Sequence, residues 1–419
     1  MEELKLKLTD MAHGGTAVGH DENKRPIFVP FGIPGELVRV DVTQDKERFA
    51  RAELKAVVRS SPSRVEPRCQ HFGVCGGCHF QHMAYDSQLR AKQDVVRDQL
   101  KRIGGLKKVK VQPTLPNPQQ WAYRLEMSFS PTADGGIGFW SPQLRQVMTI
   151  EHCEIMHRRL LEVWQDMDLA LPGLRKLTLR VGADDEVLAA FEIDGVEPPD
   201  LEADFPVSVA IVLPDKTAAS LIGNPYLTQQ VRDREFRVSP GCYFPPSQSG
   251  AELLVDVVLA YANLTGDETV LDVYSGVGLL TTFLAAAARE VICVEVNGDA
   301  VADTAVNLDH TDNVSLYQGW AEEVLPALDI KPDLAVVNPT SDGLSSTVLN
   351  AILKMEPQRI VYVSSELSTL ARDSKQMDRA GWQLVEVQPI DLRPQTYHVE
   401  VVALWQRGRK SRGAKNDGK

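Results

Sequence analysis

No stretch of this sequence stays apolar over the roughly 20 residues that a membrane-spanning helix needs, which argues against a helical membrane protein. Its first residues also lack the charged-then-apolar form of a secretory leader. Cysteine is scarce, six in 419 residues, far below the density of a disulfide-stapled secreted scaffold, so the expected location is cytoplasmic. Basic residues are in the minority, 45 Lys and Arg against 57 Asp and Glu. A net charge of −12 does not suit a general polyanion binder.

That average hides an asymmetry. Residues 1–110 carry 20 Lys and Arg against 14 Asp and Glu, so the acidic excess lies entirely in the remainder. Any RNA contact is therefore expected to be led by the N-terminal third. A chain of 419 residues should hold two or three domains. The expected organisation is a barrel over residues 1–60, a central domain over 61–235, an α/β domain over 236–408, and a basic, disordered tail over 409–419.

The six cysteines are unevenly spread. Cys69, Cys75 and Cys78 stand as C-x5-C-x2-C around Gly73, Gly76 and Gly77, and Cys153 follows far downstream. In a reduced chain, converging thiols at this spacing read as metal or iron–sulfur ligands rather than disulfides. Spacing alone admits a four-thiolate zinc site as readily as a cluster.

The first 60 residues show short-strand patterning. Leu4, Leu6 and Leu8 alternate with polar residues, and a turn follows at His13-Gly14-Gly15. Strand-like runs at 26–31, 36–42 and 49–58 complete an OB-like barrel. The run Phe28-Val29-Pro30-Phe31-Gly32-Ile33-Pro34-Gly35-Glu36 resembles the signature of the TRAM domain, an RNA-binding barrel.

From Arg64 the resemblance extends. Arg64-Val65-Glu66-Pro67-Arg68-Cys69, then Cys75-Gly76-Gly77-Cys78, Gln81-His82, Tyr85, Gln88-Leu89 and Lys92 are similar to the iron–sulfur segment of the RNA uracil-5-methyltransferase family. Helical periodicity over 85–103, stopped by Gly104-Gly105, fits the helix that follows that segment. Tyr123-Arg124, Gly136-Ile137-Gly138-Phe139 and His152-Cys153 continue the match. The resemblance implies that Cys69, Cys75, Cys78 and Cys153 hold a [4Fe–4S] cluster with a structural task.

Beyond residue 236 strands and helices alternate. Strand-like runs at 269–274, 291–296, 314–319, 334–339, 359–365, 384–392 and 399–407 are separated by helical patterns such as 300–308 and 344–355. This predicts a doubly wound, Rossmann-like, mostly parallel sheet. The turn Asp272-Val273-Tyr274-Ser275-Gly276-Val277-Gly278 closes its first strand and opens a helix. Glu295 ends the next strand, where an acid can accept both ribose hydroxyls of a nucleoside cofactor. Together these resemble a class I fold for S-adenosylmethionine (SAM). The fold class is thus α/β and β: a TRAM β-barrel, a small central iron–sulfur α+β domain and a C-terminal methyltransferase domain.

The sequence departs from the family where the chemistry lies. Uracil C5 becomes nucleophilic only after a thiolate adds to C6, and the family supplies that thiolate from Ser-Cys-Asn-Pro. Here the run Tyr362-Val363-Ser364-Ser365-Glu366-Leu367-Ser368-Thr369-Leu370-Ala371-Arg372-Asp373 places Ser365 at the nucleophile position. A thiol ionises near pH ~8.5, whereas a serine hydroxyl needs an adjacent general base. The family's Asp-Pro-Pro-Arg stands as Asn338-Pro339-Thr340-Ser341, its Phe-Gln-Val-Asn as Phe244-Pro245-Pro246-Ser247, and an acid after strand three as Trp320. His398-Val399-Glu400 keeps the glutamate that the resemblance makes the proton-abstracting base.

Of the other thiols, Cys293 lies in an apolar strand and reads as core. Cys242 enters the α/β domain near the expected cofactor mouth, as a packing thiol or a replacement nucleophile.

Three functions fit these residues. The first is an RNA-binding paralogue, acting with rRNA or tRNA, whose catalysis is lost or altered. The others are an active SAM-dependent RNA methyltransferase with different chemistry, and an iron–sulfur sensor or interaction protein. Family placement favours an RNA uracil-5-methyltransferase relative, with SAM as cofactor and Asp272, Gly276, Gly278, Glu295 and Asn338 around it.

Overall fold

The computed structural model describes residues 3–167, 169, 171–194 and 206–408, so the basic tail lies outside the described residues. Strands β1 (Glu3–Met11), β2 (Ala17–His20), β3 (Pro26–Val29), β4 (Leu37–Asp45) and β5 (Ala50–Arg59) close into a barrel in the order β1-β2-β3-β5-β4. Alternation explains it: Leu6, Leu8, Val38 and Val40 are buried inside, while Lys5, Lys7 and Arg39 are exposed. Helix α1 (Tyr85–Arg102) follows the cysteine-rich loop and ends close to the boundary read from its periodicity.

The central part is a seven-stranded sheet, built from β6 (Glu126–Pro131), β7 (Ile137–Ser141), β8 (Gln146–Met148), β9 (Leu174–Val181), β10 (Val187–Ile193), β11 (Ser208–Val212) and β12 (Ala218–Ile222). Helix α2 (Arg158–Asp166) lies on it through Leu160, Val163 and Trp164. Sheet order is β12-β11-β10-β9-β6-β7-β8. A hairpin, β13 (Leu227–Val231) and β14 (Arg234–Val238), links it to the last part, so the boundary expected after residue 235 falls inside a strand.

The C-terminal sheet contains β15 (Thr269–Val273), β16 (Glu290–Glu295), β17 (Val314–Gln318), β18 (Leu334–Val337), β19 (Arg359–Ser364), β20 (Trp382–Ile390) and β21 (Glu400–Arg407). Its order is β17-β16-β15-β18-β19-β21-β20, parallel except for β21, which runs antiparallel to both neighbours. Helices α3 (Gln248–Ala262), α4 (Leu279–Ala285), α5 (Gly298–Asn307), α6 (Ala321–Ala327), α7 (Ser346–Met355) and α8 (Leu367–Arg379) cover the two faces. All five residues of β15 are buried, as a strand covered on both faces should be.

One face packs into a core continuous with α1 and the barrel, where Leu8, Val96, Leu100, Leu271, Val337 and Trp405 belong to one cluster. The edge of β20 is also closed from outside, because Gln112 N–H donates to Val387 and Leu115 N–H to Pro389, each at 2.9 Å. Among the described residues no helix is long and apolar enough to cross a membrane.

Candidate functional site

The turn after β15 is strained. Tyr274 takes φ 65°, a left-handed conformation unusual for a bulky residue, followed by Gly276 at 57° and Gly278 at 81°. Gly278 is the N-cap of α4, and a Cβ there would lie 3.2 Å from the Thr304 side chain. Glu295 folds back onto this turn: Oε2 accepts the Gly276 N–H at 2.9 Å, and Oε1 accepts those of Val296 and Asn297 at 2.8 Å. A carboxylate offers about four lone-pair sites, so acceptor capacity remains on Oε2. Asp272 is buried at the end of β15, where Oδ2 accepts the Thr281 hydroxyl at 2.6 Å and Oδ1 has no partner. Burial raises its pKa to about 6.

These residues line a cavity of about 680 Å³ at the carboxyl ends of the parallel strands. Asn338 reaches it from the end of β18 and Ser365 from the end of β19. Because β21 is antiparallel and pairs Ser364 with Val401, Glu400 begins its strand directly beside Ser365. The structure therefore brings Asp272, Gly276, Glu295, Asn338, Ser365 and Glu400 to one cavity, with Gly278 just behind it.

The Ser365 side chain is exposed and makes no hydrogen bond among the described residues. Its neighbour Glu366 is engaged through Oε1, which caps α8 by accepting the Ser368 N–H and hydroxyl and lies 3.3 Å from His13 of the barrel turn. Glu400 is 7% exposed, and burial raises its carboxyl to about 7, the Arg393 guanidinium opposing the shift. Arg372 lines the cavity, with Nε held by the Asp373 carboxylate and Nη2 by the Asp342 and Leu344 carbonyls.

Cys242 lines the same cavity, yet it is only 4% exposed and its thiol points at Asn297 Oδ1, 3.8 Å away. Burial and the nearby Asp303 carboxylate push its pKa up, which disfavours the thiolate that a nucleophile would need. Cys293 is buried in β16, as its strand pattern indicated. Pro245 and Pro246 bring no amide to the cavity; Ser247 instead caps α3 by accepting the Gly250 N–H at 3.1 Å. Two aromatic side chains stand open at the rim, Tyr243 at 56% and Trp320 at 61% exposure. Tyr243 gave no signal in the sequence, since an exposed aromatic at a mouth looks like any core aromatic in a pattern.

Cys69, Cys75, Cys78 and Cys153 meet around a second cavity of about 130 Å³, although Cys78 and Cys153 stand 75 positions apart in the sequence. Among the described residues no three His, Cys, Asp or Glu side chains close on a single metal ion. The thiols instead surround a space, with Cys75 and Cys153 packed against the central core. The loop is tight: a Cβ on Gly76 would meet the Trp140 carbonyl at 2.7 Å. Burial raises all four thiols, Cys78 to about 12, so they would ionise only against positive charge.

Similarity to known proteins covers the whole architecture. The TRAM domain family matches residues 2–55, the closed barrel. An uncharacterized RNA methyltransferase of Halalkalibacterium halodurans is 31% identical over 442 aligned positions, covering 96% of each chain. Another, from Thermosynechococcus vestitus, is 32% identical over 96% of this chain and 97% of its own. The crystal structure of Pyrococcus abyssi tRNA (uracil-54, C5)-methyltransferase in complex with S-adenosyl-L-homocysteine superposes with a TM-score of 0.71 at 26% identity, over 96% of this chain and 100% of that one. With the barrel matched by the TRAM family and relatives 31–32% identical over 96% of the chain, this chain belongs to the RNA (uracil-5-)methyltransferase family.

Proposed function

We propose that this protein binds SAM and structured RNA, tRNA or rRNA, and has lost the thiolate-dependent methylation of uracil C5. The observation that carries the reading is Ser365. It occupies the nucleophile position with a hydroxyl that no base engages, and Cys242 cannot replace it. An unactivated alcohol does not add to a pyrimidine C6.

The cavity supports SAM as its ligand. The unpartnered Asp272 Oδ1 and Ser275 Oγ both line it, and a cationic, hydrogen-bonding cofactor would satisfy them. Glu295 would take a ribose hydroxyl with its free acceptor site. When bound, SAM supplies an electrophilic methyl group; this chain's own residues orient it and exclude water.

We assign Cys69, Cys75, Cys78 and Cys153 as holders of a [4Fe–4S] cluster. Four thiols around a space, rather than around a point, suit a multi-iron centre better than one zinc ion. RNA contact is assigned first to the barrel and the basic residues up to Lys110.

Titration calorimetry with SAM, followed by incubation with tRNA transcripts bearing 5-fluorouridine, tests this reading. SAM should bind, and no covalent protein–RNA adduct should form. Absence of SAM binding, or an adduct by denaturing electrophoresis, would overturn it.

A further inference from the structure

The base side of the large cavity has an unusual donor and acceptor inventory. Asn338 lines it with a side-chain amide that makes no hydrogen bond among the described residues; only its backbone N–H is used, donating to the Val273 carbonyl at 3.2 Å. Glu400 lines it with a carboxyl that accepts no hydrogen bond among the described residues, the Arg393 guanidinium acting on it through charge alone. The one cationic side chain that lines it among the described residues, Arg372, is held through Nε and Nη2 by Asp373, Asp342 and Leu344, and the family's guanidinium position is Ser341. A uracil ring shows two carbonyls that want such donors. An exocyclic amino group shows two N–H donors, which match one amide oxygen and one carboxylate.

We propose that this cavity methylates an exocyclic amino group of an RNA base, cytosine N4 or adenine N6, instead of a ring carbon. The inference rests on the reading that the chain binds SAM and RNA. Chemistry at nitrogen removes the need for the missing thiol. The amine nitrogen attacks the SAM methyl carbon directly; the N–CH3 bond forms, and the S–CH3 bond breaks with its electrons passing to sulfur. The products are the methylated base and S-adenosylhomocysteine, and the proton released from nitrogen passes to the Glu400 carboxylate. Asn338 Oδ1 holds the second N–H and orients the lone pair toward the cofactor side, where Asp272 and Glu295 stand. The open face of Tyr243 at the rim gives the extruded base a surface to stack on. A carboxyl that ionises near neutral pH is suited to taking up that proton.

The test is nucleoside mass spectrometry on RNA from source cells lacking this gene, before and after incubation with the full-length protein and methyl-labelled SAM. Gene loss should remove N4-methylcytidine or N6-methyladenosine while leaving 5-methyluridine unchanged, and the protein should restore the lost nucleoside. The nucleoside restored tells cytosine from adenine. At saturating SAM, Asn338→Leu should lower label incorporation at least tenfold, and Asn338→Asp, which keeps an acceptor, should lose less. Loss of 5-methyluridine, or no lost methyl nucleoside although calorimetry shows SAM bound, would overturn the proposal. Failure to bind SAM at all would instead overturn the underlying reading, and this proposal with it.

Discussion

The main-chain carbonyl of Gln395 accepts hydrogen bonds from both His79 and Phe80, each at 2.9 Å. The residues just after Cys78 thus grip the loop that leads from β20 to Glu400. The grip is reinforced by Gln88, whose Nε2 donates to Gln395 Oε1 at 2.9 Å, and by Lys92, whose ammonium lies 2.5 Å from Asp391 Oδ1. Neither Lys92 nor Asp391 is exposed at all.

Lys92→Met should therefore be strongly destabilising. It leaves the Asp391 carboxylate buried without its cation, a loss of about 3–5 kcal/mol. Arg97→Ala, which breaks an exposed pair with Asp94, should cost at most about 1 kcal/mol. Urea denaturation of the two variants checks the difference, and a Lys92→Met loss no larger than that of Arg97→Ala would refute the buried pair's role.

Glu400 sets a pH dependence of stability. Its carboxyl is raised in the fold from an ordinary 4.5 to about 7, because burial disfavours the charged form. Between those values the folded state holds the proton and the unfolded state releases it, so stability falls as pH rises from about 4.5 to 7. The full loss is on the order of 3 kcal/mol. Glu400→Gln should abolish this slope, matching the wild type near pH 4 and exceeding it at pH 8 in thermal denaturation. Parallel curves for the two proteins would contradict the assignment.

Purified without oxygen, the protein should be brown and hold about four irons per chain. Cys78→Ser should bleach it. A colourless protein carrying one zinc would show that the cavity between the thiols takes a single ion after all.

RNA affinity should fall steeply with salt and depend on the barrel's outer face, where Lys5 and Lys7 are exposed on β1 beside Arg39 of β4. Lys5→Glu with Lys7→Glu should weaken tRNA binding and flatten the salt slope. Equal binding by the double variant would place the RNA elsewhere.

The C-terminal sheet and the barrel were legible because their signals are local. Runs such as Leu334–Val337 are apolar throughout, and the barrel strands alternate. The central sheet was not legible strand by strand. Its order pairs β6 with β9, whose residues Glu126 and Arg180 stand 54 positions apart, and no local pattern encodes such a pairing. The tight turn over Tyr274–Gly278 and the acid that folds onto it, Glu295, could be read from glycine spacing and strand position. The burial of Cys242 could not. It depends on Arg180, whose guanidinium donates to the Cys242 carbonyl at 2.7 Å, and on Asn297 from a different strand end. The register that sets Glu400 beside Ser365 was hidden for the same reason.

Ser365→Cys alone should not restore 5-methyluridine formation, because Asn338 and Ser341 still replace the family's acid and guanidinium and Arg372 stays tied. The variant should keep the wild-type SAM affinity. Product from this single change would mean that only the nucleophile had been lost.

The loss of uracil chemistry is tested most directly by the 5-methyluridine content of an unmodified tRNA transcript after incubation with the wild-type protein and methyl-labelled SAM. We expect none above the level of a control without protein. Formation of 5-methyluridine in proportion to enzyme and time would contradict the reading of Ser365 on which the proposed function stands.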